Sequence, residues 1–188
     1  NGCGMSKEKL IRGMQYGGIG SDNPKRLGKF GLGLKTASTA FCRKLSVISR
    51  DENIKEIYKA TWDLDHVKLS GEWELLLNRA DKFEKDTLDE VASNSPGTLV
   101  IWDNIDRVLK DYADPSGSHA RSSLQKINER FRTHASMTYQ RYLDHSDNRA
   151  RNIKMFLNGE EILLWDPFCL KQIGELGTEL VAEKELQV

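Results

Sequence analysis

The stretch Arg26–Ser38, RLGKFGLGLKTAS, restricts the possible fold more than any other part of this chain. Glycine stands at 28, 31 and 33, and the run passes directly into small, helix-compatible residues, Thr36-Ala37-Ser38-Thr39-Ala40. A glycine loop that opens a helix lets the backbone come close to a ligand, aims several N–H groups one way and adds the positive end of the helix dipole. Such a place suits an anion, although the same segment alone could be only a tight strand-to-helix turn. Two phosphate-binding schemes fail on spacing. A P-loop needs glycine directly before its lysine, and here Leu34 separates Gly33 from Lys35. A Rossmann loop needs a third glycine where Thr36 stands and a preceding strand, and nothing upstream of Arg26 reads as one.

The rest of the chain reads as an α/β protein. Ser6 is placed to cap a short helix, SKEKLIRGMQYG, whose apolar stripe is Leu10, Met14 and Ile11. KLSVISR reads as a strand, RDEN as a turn, and KEIYKATWDLDHV as a longer strand in which Tyr58, Ala60, Trp62 and Leu64 alternate with polar residues. GEWELLLNR reads as another strand, the charged ADKFEKDTLDEVASNSPG ends at a Pro-Gly turn, and TLVIWDNI, apolar on both faces, reads as a central strand. The longest helix is expected over 118–143, with Leu124, Ile127, Phe131, Ala135, Tyr139 and Tyr142 at helical spacing. After it, IKMFLNGEEILLW places two apolar runs around Asn158-Gly159, a strong hairpin signal. A domain boundary is expected near 147, with 148–188 starting a second unit.

Three motifs occur in one order: NGCGM at the start, GKFGLG at 28–33, and GTLV at 97–100. In that order and spacing the chain resembles the GHKL ATPases, which include DNA gyrase, the ninety-kilodalton heat-shock chaperones, histidine kinases and MutL. Gly2, Gly4 and Met5 match the family's D-x-G-x-G box, often followed by methionine; Gly28, Phe30, Gly31 and Gly33 match its second box; Gly97, Thr98 and Val100 match its G-T-x-[VI] strand. By flavour the chain looks nearest to bacterial ATP-binding proteins of the chaperone-like and MORC-like branches. The resemblance implies a two-layer α/β sandwich of Bergerat type, a mixed, mostly antiparallel sheet with helices on one face, over residues 1–147. The remainder would begin a transducer-like domain.

The resemblance also implies ATP as ligand, with Mg²⁺, and a set of binding residues. Gly2 and Gly4 would let the backbone pass under the adenine, Met5 would offer it a polarizable surface, and Thr98 would reach an adenine nitrogen. Gly28, Lys29, Phe30, Gly31, Leu32, Gly33, Leu34 and Lys35 would hold the phosphates, Lys35 as a point charge. Residues 17–28 resemble the family's lid. The family's ATP-contacting Asp, its Mg²⁺-binding Asn and its water-activating Glu precede the first box, so they are expected upstream of Asn1. Weak or no hydrolysis is therefore expected of this chain, and ATP-driven switching and self-association of the intact parent protein.

Composition supplies few alternatives. Lys plus Arg equals Asp plus Glu, 28 each, so net charge gives no case for nucleic acid. No apolar run is long enough to span a membrane. Three cysteines without a CxxC pair argue against a disulfide framework or zinc and for a reducing, cytoplasmic setting. Asp63 and Asp65, on one face of the expected strand, are a nuclease-like metal pair to weigh against plain alternation. His66, His119, His134 and His145 have no ligand spacing. Arg121, Lys126, Arg130, Arg132 and Arg141, followed by Arg149 and Arg151, are a candidate basic stripe for DNA, diluted by Glu129 and Asp144. The competing class is thus a non-catalytic interaction or DNA-binding module that keeps the fold. A protein-histidine kinase is disfavoured, because no dimerising hairpin with a phosphorylated histidine is visible.

Overall fold

Ser6 opens the first helix as expected: its hydroxyl accepts the Lys9 N–H, and α1 runs Lys7–Met14 with Leu10 and Met14 buried. In this computed structural model the residues described are 2–17, 31–52, 56–108, 112, 114, 116–149 and 151–166. Helix α2, Gly33–Phe41, follows the second glycine box, and β1, Cys42–Arg50, leaves it directly. The remaining elements are β2 (Ile57–Asp63), α3 (Leu64–Ser70), β3 (Leu76–Asn78), α4 (Lys82–Ala92), β4 (Gly97–Ile105), α5 (Ser118–Thr138), α6 (Gln140–Leu143), β5 (Phe156–Leu157) and β6 (Glu160–Glu161). Two compact units result, Asn1–Ala113 and Asp114–Val188.

The first unit is built on a four-stranded antiparallel sheet in the order β3-β2-β1-β4. Side chains alternate across each strand, so β1 serves two cores. Leu45 and Val47 pack with Ala60 and Trp62 of β2 against Leu10 and Met14 of α1. Ile48, pointing the other way, packs with Ala80, Leu88 and Ala92, so α4 covers the opposite face. The α/β sandwich with an antiparallel sheet is present, but its helices are not confined to one face, because Ile48 on the second face of β1 is covered by α4.

Three local expectations change. KEIYKATWDLDHV is not one strand: β2 stops at Asp63, whose carboxylate accepts the Asp65 and His66 N–H groups and caps α3. A cap that satisfies two orphan donors outweighs the continued alternation. TLVIWDNI is not central but the edge of the described sheet, with β1 and β2 inside it. An apolar run on both faces reports what lies above and below a strand, not beside it. GEWELLLNR keeps only Leu76–Asn78 as strand.

In the second unit the long helix ends at Thr138, and Tyr139, off helical geometry, separates it from α6. Ala135, Leu143 and Ile162 form a small core with Tyr139, Met155, Leu157 and Leu164 beside it. Leu124, Ile127 and Phe131, which share the expected stripe, are exposed. The Asn158-Gly159 hairpin forms as expected, both residues at positive φ, joining β5 to β6.

Candidate functional site

At the first glycine box the backbone itself makes the contact. Gly4 has φ +64°, and a Cβ there would lie 1.7 Å from the Arg50 carbonyl oxygen. Only glycine allows this approach. Gly2 has open space where a Cβ would stand, and Cys3 is an exposed free thiol. Met5 follows and donates its N–H to Ser49 Oγ at 2.8 Å.

Ser49 joins this box to the third motif. Its side chain is fully buried on β1, where its register neighbours are Tyr58 on β2 and Thr98 on β4. Ser49 Oγ lies 2.8 Å from Thr98 Oγ1 and donates to the Gly97 carbonyl at 3.1 Å. One hydroxyl therefore fixes Met5, Gly97 and Thr98 together, while Thr98 stays exposed on the outer side. Sequence reading missed Ser49. The signal available was a serine on the same strand face as Leu45 and Val47, since a buried hydroxyl must find partners. Ser46, its neighbour in the strand, meets the same demand through Thr61 Oγ1 at 3.0 Å.

Next to Ser49, Arg50 secures the turn into β4. Its Nε donates to the Ser95 carbonyl at 2.9 Å and its Nη1 meets Asp89 of α4 at 2.5 Å, while Nη2 is buried without a hydrogen-bond partner. The hydrogen bond from Arg50 holds the Asp89 carboxyl below the usual carboxylate range. Gly97 itself sits close under α4: a Cβ would come 3.2 Å from that of Ala92.

At the second box, Gly31 has φ +63° and α2 starts at Gly33 with no side chain capping its first turn. Gly33, Leu32 and Leu34 are exposed. The first-turn N–H groups of such a helix have no intrahelical acceptor and lie at its positive end. Lys35 is placed differently from its neighbours. It is 2 % exposed, and its Nζ donates to the Gly13 carbonyl in the last turn of α1 at 2.8 Å, 5.8 Å from the centre of the Tyr16 ring. Burial lowers its pKa from the usual lysine range, and the negative end of α1 faces its charge. Gly28, Lys29 and Phe30 lie outside the described residues, as does all of the expected 17–28 lid except Gly17.

The competing sites do not assemble. Asp63 caps α3, and Asp65 sits in that helix, bonded to Arg43 Nη2 at 2.6 Å, so the two are not a metal pair on a strand. Among the described residues no group of three or more His, Cys, Asp or Glu side chains could hold a metal ion. His66 faces Glu74. The basic stripe is partly neutralised, because Arg132 meets Glu160 at 2.7 Å and Arg149 meets Asp147 at 2.6 Å. Trp62 is core and donates to the Met14 carbonyl, and Trp102 donates to Ser38 and stacks on Phe41. No described helix is long and apolar enough to cross a membrane.

No curated protein matches the chain. The family model described as histidine kinase-, DNA gyrase B-, and HSP90-like ATPase matches residues 1–98 of the 188, a span that runs from the first glycine box to Thr98. With two of the three motifs joined through one buried serine and the third opening α2, the chain belongs to the histidine kinase-, DNA gyrase B- and HSP90-like ATPase family.

Proposed function

We propose that the chain binds ATP, with adenine over Gly4, Met5 and Thr98 and the phosphates at the open start of α2. The observation that carries this reading is the Ser49 hydroxyl, which holds the first box and Thr98 in one arrangement. Ser49 has one proton and three partners. With Met5 donating to it and its own proton on the Gly97 carbonyl, the Thr98 hydroxyl donates to Ser49 and turns its lone pairs outward. An outward acceptor favours a base that presents an N–H, as the adenine amino group does and the guanine carbonyl at the same place does not. Gly31, Leu32, Gly33 and Leu34 supply backbone amides to the phosphates, joined in this reading by Gly28, Lys29 and Phe30. Gly2 gives the base clearance from side chains. Lys35 adds long-range positive charge from behind α2 and anchors that helix to α1.

Mg²⁺ accompanies ATP in this reading, but the described residues offer it no ligand cluster, and no step is drawn through it. Nucleotide-driven closure and pairing of subunits, with hydrolysis, are the further steps this reading implies, in the chaperone-like, MutL or MORC branch. Titration calorimetry of the chain with ATP and GTP tests the binding. ATP binding with a preference of about tenfold over GTP, lost in Thr98→Val, is the expected result. No heat with ATP under conditions where the chain is folded overturns the reading.

A further inference from the structure

At the outer side of the sheet, β2 is longer than its neighbour. It runs Ile57–Asp63, whereas β3 pairs only with Lys59, Ala60 and Thr61. Beside Ile57 and Tyr58 the chain turns away through Arg79 and Ala80 toward α4, and a cleft of about 630 Å³ opens there. Its floor is apolar, with Leu10 and Ala80 buried and Ile57 half-buried. Four cations line it, Lys7, Lys59, Arg79 and Lys85, against one carboxylate, Glu56. Lys59 is matched by Glu84 at 2.5 Å, and Glu56 accepts the Tyr58 hydroxyl at 2.8 Å. Lys7, Arg79 and Lys85 are exposed and form no ion pair among the described residues. The cleft is distinct from the nucleotide site proposed above. Tyr58 and Thr98 flank Ser49 from opposite sides, so the two lie across β1 from each other.

We propose that this cleft takes an acidic peptide segment in extended conformation, laid along the part of β2 that β3 leaves uncovered. A strand added at a sheet edge pairs its backbone with the edge and sends alternate side chains to opposite sides. Side chains of the segment on the α1 side then meet Leu10 and Lys7, and those on the α4 side meet Ile57, Ala80 and Lys85, with Arg79 lining the cleft beside them, so each side takes apolar and acidic residues in turn. The volume falls within the roughly 300–1,000 Å³ of ordinary binding clefts. A bare phosphate would use the charges and waste the apolar floor.

Fluorescence anisotropy on the full chain tests this, with a labelled peptide repeating Leu-Leu-Glu-Glu, which presents both residue types on each side of an extended strand, and a control repeating Leu-Leu-Lys-Lys. The acidic peptide binds, more weakly as salt is raised, and the control does not. The double variant Arg79→Glu/Lys85→Glu weakens binding by about tenfold or more. That variant keeps its fold, because both side chains are exposed and a glutamate at 85 suits the N-terminal part of α4. An unchanged melting temperature and unchanged ATP response identify the loss as local. Failure of the acidic peptide to bind, equal binding by the control, or binding that survives the double variant overturns the proposal. So does full displacement by an equal concentration of pyrophosphate, which would make this a plain anion site. Tighter binding by a single-stranded oligonucleotide through the same residues assigns the cleft to nucleic acid instead.

Discussion

A methyl group added at Gly4 would stand 1.7 Å from the Arg50 carbonyl oxygen while holding an L-residue at φ +64°. The left-handed conformation costs about 1–2 kcal/mol and overpacking about 1–3 more. Gly4→Ala is therefore expected to lower the melting temperature by about 10 °C or more and to abolish ATP binding. Gly2→Ala, with nothing within 4 Å of the added carbon, is expected to melt within about 0.5 kcal/mol of the parent in stability. Equal melting of the two variants would show that the first box is not held as described. Ser49→Ala leaves the Met5 N–H and the Thr98 hydroxyl without their shared partner. A cost of about 1–3 kcal/mol follows, together with about tenfold weaker ATP binding in calorimetry. Gly4 was legible in the sequence because glycine requirements are written in the glycines themselves. Ser49 was not, since its role comes from strand register, which brings positions 5, 49 and 98 together across long chain separations.

Among the elements, α4 shows how a readable signal can be passed over. The charged run before the Pro-Gly turn contains Asp81-x-x-Glu84, and both halves of that capping box form: Asp81 accepts the Glu84 N–H at 2.8 Å and Glu84 accepts the Asp81 N–H at 2.9 Å. The surrounding charged residues mask the spacing of the box. The glutamate has a second task, closing on Lys59 of β2 at 2.5 Å with both side chains largely buried. Removing the cap with Asp81→Ala is expected to cost about 1 kcal/mol. Glu84→Gln also strands the Lys59 ammonium, for which loss of one buried partner typically costs about 3–5 kcal/mol. Urea midpoints should therefore fall further for Glu84→Gln than for Asp81→Ala, and the reverse order would show that the ion pair contributes nothing beyond the cap. The same contrast explains the other misread elements. Alternation through Trp62 and Leu64 was real but ended by the Asp63 cap, and the apolar faces of β4 hid its place at the edge.

For the whole molecule, two units mean that a perturbation can be assigned to the half in which it acts. Asp147 accepts from Arg149 at its backbone N–H and its guanidinium, which holds the carboxyl down to about 2 from the usual 3.8. A depressed carboxylate stabilises the fold fully above its unfolded pKa, and that contribution disappears as pH falls through the folded value. The stability difference between the parent and Asp147→Asn should be constant near neutrality and shrink between pH 4 and 2, read from urea midpoints across that range. In the proposed reading the nucleotide acts on the other unit. ATP at about a hundred times its dissociation constant adds about 2.7 kcal/mol to whatever unfolds with the site. All residues assigned to adenine and phosphates lie before Ala113, so hydrogen exchange with ATP should slow in β1, α2 and β4 and leave α5, α6 and the hairpin at their original rates. Protection confined in this way means that the first unit unfolds as its own cooperative body and carries the nucleotide alone. Protection that reaches α5 to the same degree would mean that the two units open together. Protection absent from β1 and β4 would remove the Ser49-centred pocket from the binding site.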